Sequence, residues 1–400
     1  MKLVYLLGLG AFALGLDAYV TAGLLPVIAD DFHASVSATG QMVTTFTLAY
    51  AIASPIFATL LSASRVRLGL LASLAVFALA NAGSALAGSL GVLLVTRAFA
   101  GVGAGLYLAL AASAAASLVD DKRRGRALAV IMGGMSSGTV IGVPIGVLIA
   151  EHTGWRSTLW LVSAIGLVSF AGLAVRLPAL PAAAQVTLRQ RVQVVTDRRV
   201  ASIVGVSFLA AVASLGLYTY IAPVMATDAM GSVDSITPYL WAWGIGGVIG
   251  SFLIGPLVDR VRRPYALVVG ILVLLTVALL VLRPAASLHP LLALLPIAVW
   301  GAVGWALQVP QQNDLLVARG ERGGAVAVAL NESALYLGSA VGSGLGGLAF
   351  TAGWSGAVLP LCAAAVGFVA LLLQVTAVRS TGKSVVPPAS PAPVLQDATD

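Results

Sequence analysis

Long apolar runs, each broken by a few polar or charged residues, recur along almost the whole chain. A helix crossing ~30 Å of hydrocarbon at ~1.5 Å per residue needs about 20 such residues. Runs of that length occupy 3–29, 40–62, 69–88, 91–118, 126–150, 157–175, 201–227, 237–257, 265–282, 290–314, 325–350 and 357–378. They predict twelve transmembrane helices and an all-α membrane protein, because barrel strands would appear as segments of about ten residues with alternating character. The segment 177–200 turns polar, carries Pro178 and Pro181, and reads as a cytoplasmic linker between halves at 1–176 and 201–379. Residues 380–400, rich in proline, read as a disordered cytoplasmic tail.

The two halves echo each other. VTAGLLPVIADD (20–31) is matched by LYTYIAPVMATD (217–228), with Pro26 opposite Pro223, and SRVRLGLL after the second run by DRVRRPYAL after the eighth. Gly138, Gly142 and Gly146 in the fifth run reappear as Gly338, Gly342 and Gly346 in the eleventh, followed by Gly154-Trp155 and Gly353-Trp354. Such a parallel repeat predicts two pseudo-symmetric six-helix bundles that rock about a central site.

Composition agrees: 59% hydrophobic and 9% charged residues exclude a water-soluble domain. The net charge of +7 hints at nucleic acid until the charges are placed. With the N-terminus inside, 19 of the 22 basic residues fall in inner loops and tails, and only Arg97, Arg156 and Arg283 do not. That bias is an orientation signal, so no nucleic-acid partner is expected and both termini are predicted to be cytoplasmic. Met1-Lys2 followed by Ala11-Phe12-Ala13 imitates a signal peptide, but the apolar run continues past the small residues and cleavage is not expected. The single cysteine, Cys362, permits no internal disulfide. His33, His152 and His289 all fall in predicted outer loops, so no catalytic or metal cluster is foreseen. Thr381-Gly382-Lys383-Ser384 resembles the end of a phosphate loop, yet Ala377 stands where glycine is required, so ATP is not the expected energy source.

Asp17 is the one ionisable side chain in the first run. A carboxylate at that depth costs several kcal/mol unless it faces protein, water or a partner, so it belongs either to a structural ion pair or to a working site. Arg97 lies two turns inside the fourth run, and both residues are eight or nine positions from the outer ends of their runs. At ~1.5 Å per residue that is ~13 Å for each, so they can meet at one depth. An opposite charge favours the ionised carboxylate while burial opposes it, so a proton or a cationic substrate can tip the balance. Glu332, beside Asn331 in the eleventh run, is either a second proton carrier or cation contact, or an interfacial residue paired with Arg322. Asp314 reads as a loop partner of Arg319. Tyr19, Tyr50, Tyr107, Tyr220, Trp241, Trp243, Trp305 and Tyr336 offer stacking surfaces, and Asn331, Gln308 and Gln311 offer hydrogen bonds, although some of the aromatics must face lipid.

Together these features resemble the major facilitator superfamily, and within it the twelve-span drug:proton antiporter branch. The loop motif G-x-L-x-D-R-x-x-R is matched by Gly255, Leu257, Asp259, Arg260 and Arg263 in the second half, whereas Ser64 replaces its Asp in the first. The fourth-span motif R-x-x-x-G-x-G is matched at Arg97, Gly101 and Gly103, with Ala100 where Gln is common. The antiporter motif of the fifth span is matched by Gly138, Gly142, Pro144 and Gly146, with Val143 separating the usual Gly-Pro pair. LDAYVTAGLLPVIADDF and ALNESALYLGSAVGSGLGG are similar to bacterial exporters that include chloramphenicol-resistance and sugar- or arabinose-efflux proteins. The resemblance implies a secondary active transporter and not an enzyme, a monomer in the lipid bilayer of the bacterial inner membrane. It would exchange protons for small amphipathic compounds, with the proton gradient as energy source and no cofactor. Asp17, Arg97 and Glu332 would couple protons, and Tyr19, Tyr107, Asn331, Tyr336, Trp305 and Gln308 would bind substrate. A sugar or metabolite exporter and a proton-coupled uptake symporter are the alternatives.

Overall fold

A computed structural model describes residues 1–60, 66–120, 123–178, 180, 196–261 and 264–381. Most of the expected linker (181–195), the tail beyond 381, Arg263 and the side chain of Asp259 lie outside the described residues. Among the described residues every regular element is helical. The long helices are α1 (Lys2–Asp31), α2 (Val36–Leu60), α3 (Val66–Ala85), α4 (Leu90–Ser117), α5 (Arg124–Thr153) and α6 (Trp155–Arg176). They continue with α7 (Arg198–Thr219), α8 (Thr237–Arg260), α9 (Pro264–Leu288), α10 (Pro290–Arg319), α11 (Val326–Thr351) and α12 (Leu359–Thr381). Among the described residues, eleven helices are long and apolar enough to cross a membrane, and α2, with 25 residues, packs among them. The protein is a multi-pass membrane protein with the helix content the hydrophobic pattern predicts.

Helices α1 to α6 pack mainly on one another, with α1 against α5 and α6 and α4 between α2 and α3. In the second group α7 packs on α11 and α12, and α8 on α10. The groups meet where α2 lies along α11 and α5 along α8. Toward the face where α1 ends, here the far face, hydroxyls tie the two groups together. Ser37 donates to the Gly347 carbonyl at 2.6 Å, Ser37 and Thr351 share a bond of 2.7 Å, and Thr44 and Ser343 share one of 2.8 Å. Thr237 donates to Glu151 at 3.2 Å beside them.

Close helix approach depends on missing side chains. A Cβ at Gly101 would overlap the Phe46 carbonyl of α2, and one at Gly138 the Phe12 carbonyl of α1. Where a kink was expected in the fifth span, the helix widens into a π turn, Gly138–Gly142, that ends two residues before Pro144. Proline has no N–H to give the preceding turn, and the wider turn absorbs that loss. The repeat persists in the backbone at Gly154 and Gly353, with φ of 88° and 78°, conformations that glycine adopts without strain. It diverges at the paired prolines: α1 runs through Pro26, whereas α7 stops at Thr219 and resumes as the short helix Ile221–Met225 containing Pro223.

The loop expected between the tenth and eleventh spans is helical instead, since helical backbone runs from Gln308 to Thr351. It is no straight rod. Gln312 Nε2 donates to Glu332 Oε1 at 3.0 Å, although straight helix would hold residues 20 apart at ~30 Å. α10 and α11 therefore lie antiparallel, joined by helical backbone. Arg319, expected beside Asp314, pairs with Asp197 at 3.3 Å; Asp197 also caps α7 by accepting from the backbone N–H groups of Arg199 and Val200.

Candidate functional site

Asp17 of α1 and Arg97 of α4 meet at 2.7 Å, Oδ1 to Nη1, with 0% and 1% of their side chains exposed. A third residue completes the cluster. Asn81 of α3 accepts from the same Nη1 at 3.0 Å through Oδ1 and donates to Asp17 Oδ2 at 3.2 Å through Nδ2, which also reaches the Phe77 carbonyl at 3.1 Å. The guanidinium lies 4.6 Å from the centroid of the Phe46 ring, a cation–π contact. Gly101, one turn beyond Arg97, is what lets the backbone of α2 come close enough to put that ring there. Both carboxylate oxygens are therefore satisfied, while Arg97 Nε is buried with no hydrogen-bond partner. Among the described residues Asp17 is the only carboxylate paired with Arg97, so removing its charge would leave a buried cation without a counter-ion. Asn81 is absent from the expected site residues. Its signal was a lone amide in the apolar run 69–88, weaker than a charge because a neutral amide costs much less to bury.

Two positions beyond Asp17, Tyr19 enters an aromatic cluster drawn mostly from the second group of helices. Its ring centroid is 5.7 Å from Tyr218, 5.7 Å from Trp243 and 6.4 Å from Trp305. Tyr218 and Trp243 are 4.4 Å apart, and Trp300 closes the group while donating its indole N–H to Ser214 Oγ at 2.7 Å. Ser214 stands where the repeat would place a counterpart of Asp17. A cavity of only about 40 Å³ remains among these rings, lined also by Gln308 and Leu335. Tyr336 of α11 stacks on Tyr50 of α2 at 3.6 Å across the join between the groups. Glu332, held by Gln312, is half-buried within electrostatic range of Tyr19, Tyr50 and Tyr336. Asn331 Oδ1 and both polar atoms of Gln311 are buried without hydrogen-bond partners.

A model of the Major Facilitator Superfamily matches residues 7–328. The chain belongs to the major facilitator superfamily. It is similar to the inner membrane transport protein YdhP of Escherichia coli O157:H7, 30% identical over 95% of this chain and 96% of that one. It is also similar to a chloramphenicol resistance protein of Streptomyces lividans, 33% identical over 76% of this chain and 78% of that one. A crystal structure of a bacterial homologue of the human lysosomal transporter Spinster, inward-facing and unoccupied, superposes with a TM-score of 0.73. At 16% identity over 97% of this chain and 98% of that one, this likeness shows the fold. The protein is thus a major facilitator transporter and not an enzyme, and among the described residues no group of three His, Cys, Asp or Glu side chains suits a metal ion.

The fifth-span motif glycines face α1, whereas the loop-motif residues Gly255 and Arg260 at the end of α8 do not pack tightly. Gly146, like Gly138, faces α1, where a Cβ would press on Val20, while Gly142 lies near Leu16. Gly255 is half-buried with open space before it, and Arg260 is exposed at the end of α8. Tyr107, expected to bind substrate, lies outside the aromatic cluster in this structure. It is fully buried away from the aromatic cluster, over Gly10, and donates to the Leu7 carbonyl at 2.8 Å, which pins α4 to α1. Tyr220 does the same for α7 and α11 through the Ser343 carbonyl. Tyr107→Phe is expected to lower stability by about 1 kcal/mol and to leave the substrate concentration for half-maximal transport unchanged. Thermal unfolding in detergent together with a transport titration would check both.

Proposed function

We propose that this transporter exports small amphipathic compounds in exchange for protons, by alternating access of the aromatic site to the two sides of the bacterial inner membrane. The buried cluster of Asp17, Arg97 and Asn81 carries the reading, because an intramembrane carboxylate bonded to one cation and one amide can hold or release a proton by repacking. Asp17 takes up a proton from outside as substrate leaves, and Arg97 drives its release toward the cytoplasm. The clustering of basic residues in the loops on the side where α1 begins supports cytoplasmic termini. The hydroxyl ties near the far face then correspond to a closed outer gate. Similarity to a chloramphenicol resistance protein supports export. The proton gradient supplies the energy, and one copy of the chain suffices.

The test is a gradient-driven assay in inside-out vesicles with acidic lumen, using a broad panel of compounds. Lumenal accumulation abolished by a protonophore supports the proposal, while accumulation indifferent to the gradient, or movement together with protons, overturns it. The unpartnered polar atoms of Gln311 and Asn331 favour a second reading, a sugar or metabolite exporter, which predicts that polyhydroxylated compounds and not lipophilic drugs accumulate. Glu332→Gln is expected to reduce export of cationic compounds about tenfold while sparing neutral ones, the factor that ~1.4 kcal/mol of lost charge contact would give. Equal losses for both classes would remove Glu332 from the site.

A further inference from the structure

A second cavity, of about 310 Å³, lies between α5 and α8 and is bounded by Gly133, Ser137, Val140, Gly247, Ser251 and Phe252, with Trp305 as its inner wall. Trp305 also lines the small space among Tyr19, Trp243 and Gln308. One indole thus separates a cavity at the join between the two helix groups from the aromatic site. Ser137 is 13 residues into α5, ~20 Å at ~1.5 Å per residue, which is hydrocarbon depth. Phe252, beside it on α8, is 78% exposed toward what would be lipid. The walls mix apolar side chains with serine hydroxyls, as a compound with both characters requires.

The indole is set in place by an absent side chain: a Cβ on Gly247 would lie 2.7 Å from Trp305 Cδ1. Behind Trp305, the indole N–H of Trp243, 2% exposed, has no acceptor. A buried donor left unmade is costly, and a ligand oxygen would satisfy it.

We propose that the cavity between α5 and α8 is a lateral portal. A membrane-dissolved amphipathic compound bearing a hydrogen-bond acceptor enters there, and Trp305 is the door to the aromatic site. This rests on reading the aromatic cluster as the substrate site. Swinging the indole aside merges the two spaces into one of ordinary small-molecule size.

The test measures access and needs no substrate. In a Cys362→Ser background, Ser137→Cys marks the portal and Ala210→Cys the space behind the door, since Ala210 lines the smaller cavity. Proteoliposomes are treated with N-pyrenylmaleimide, which dissolves in the bilayer, or with a sulfonated, membrane-impermeant maleimide. The pyrenyl reagent should label Ser137→Cys at least about tenfold faster than the sulfonated one. It should label Ala210→Cys about tenfold faster once Trp305→Ala is added. Gly133→Phe, built into the open space before Gly133, should slow both reactions, and Ser251→Phe provides a second plug from the opposite wall. Faster labelling by the sulfonated reagent at Ser137→Cys, no effect of Trp305→Ala at Ala210→Cys, or indifference to both plugs would overturn the portal. If the labelling pattern holds while vesicles show no gradient-driven transport, the function reading fails and the portal stands.

Discussion

Asp17→Asn is expected to reduce substrate-induced proton release from proteoliposomes to the level of protein-free vesicles, while substrate still binds. Asn keeps a carbonyl oxygen for the Arg97 Nη1 that now sits at 2.7 Å, but it carries no exchangeable charge. Arg97→Ala should uncouple as well, for the opposite reason: the carboxylate then has only Asn81 beside it in a site with no exposure. Breaking a buried pair by deleting one partner costs about 3–5 kcal/mol, so both single variants should also unfold at lower temperature. Stability loss alone would mark an ordinary structural ion pair. The discriminating measurement is protons released per substrate bound by the folded fraction, which stays normal for a structural pair and vanishes for a proton carrier. The double variant Asp17→Asn/Arg97→Ala removes both charges, and its stability loss should be smaller than the sum of the singles.

Gly138→Val is expected to destabilise the fold through the backbone of α1. Its Cβ would fall on the Phe12 carbonyl and near the Leu16 N–H, both backbone atoms of α1 that cannot rotate away. Overpacking of a tight contact costs about 1–3 kcal/mol, and here it would also push out the helix that carries Asp17 and Tyr19. Gly133→Ala on the same helix meets nothing within 4 Å and should be neutral. Unfolding midpoints of the two purified variants would decide the matter, and equal midpoints would remove the close-packing role of Gly138.

The hydrophobic pattern made the helices legible because lipid demands long uninterrupted apolar runs. Asp17 and Arg97 were legible as a pair because charge in such a run is expensive and their depths agree. Asn81 was less visible, since a neutral amide leaves only a small dent in hydropathy. Tyr107 was less legible for a related reason: a tyrosine that pins a neighbouring carbonyl, as it does here, and one that faces substrate look the same in sequence. The helical backbone joining α10 to α11 escaped because the charged, glycine-rich stretch 315–324 read as a loop, although Leu, Ala, Glu and Arg within it favour helix.

Asp17 and Tyr19 are two residues apart, so they project ~200° from each other around α1 at ~100° per residue. One side of this helix grips the guanidinium and the other leans on the indoles. A sideways shift of α1 that slackened one contact would therefore press on the other. Such a shift would link the two stations through one helix, without a chain of side-chain relays between them.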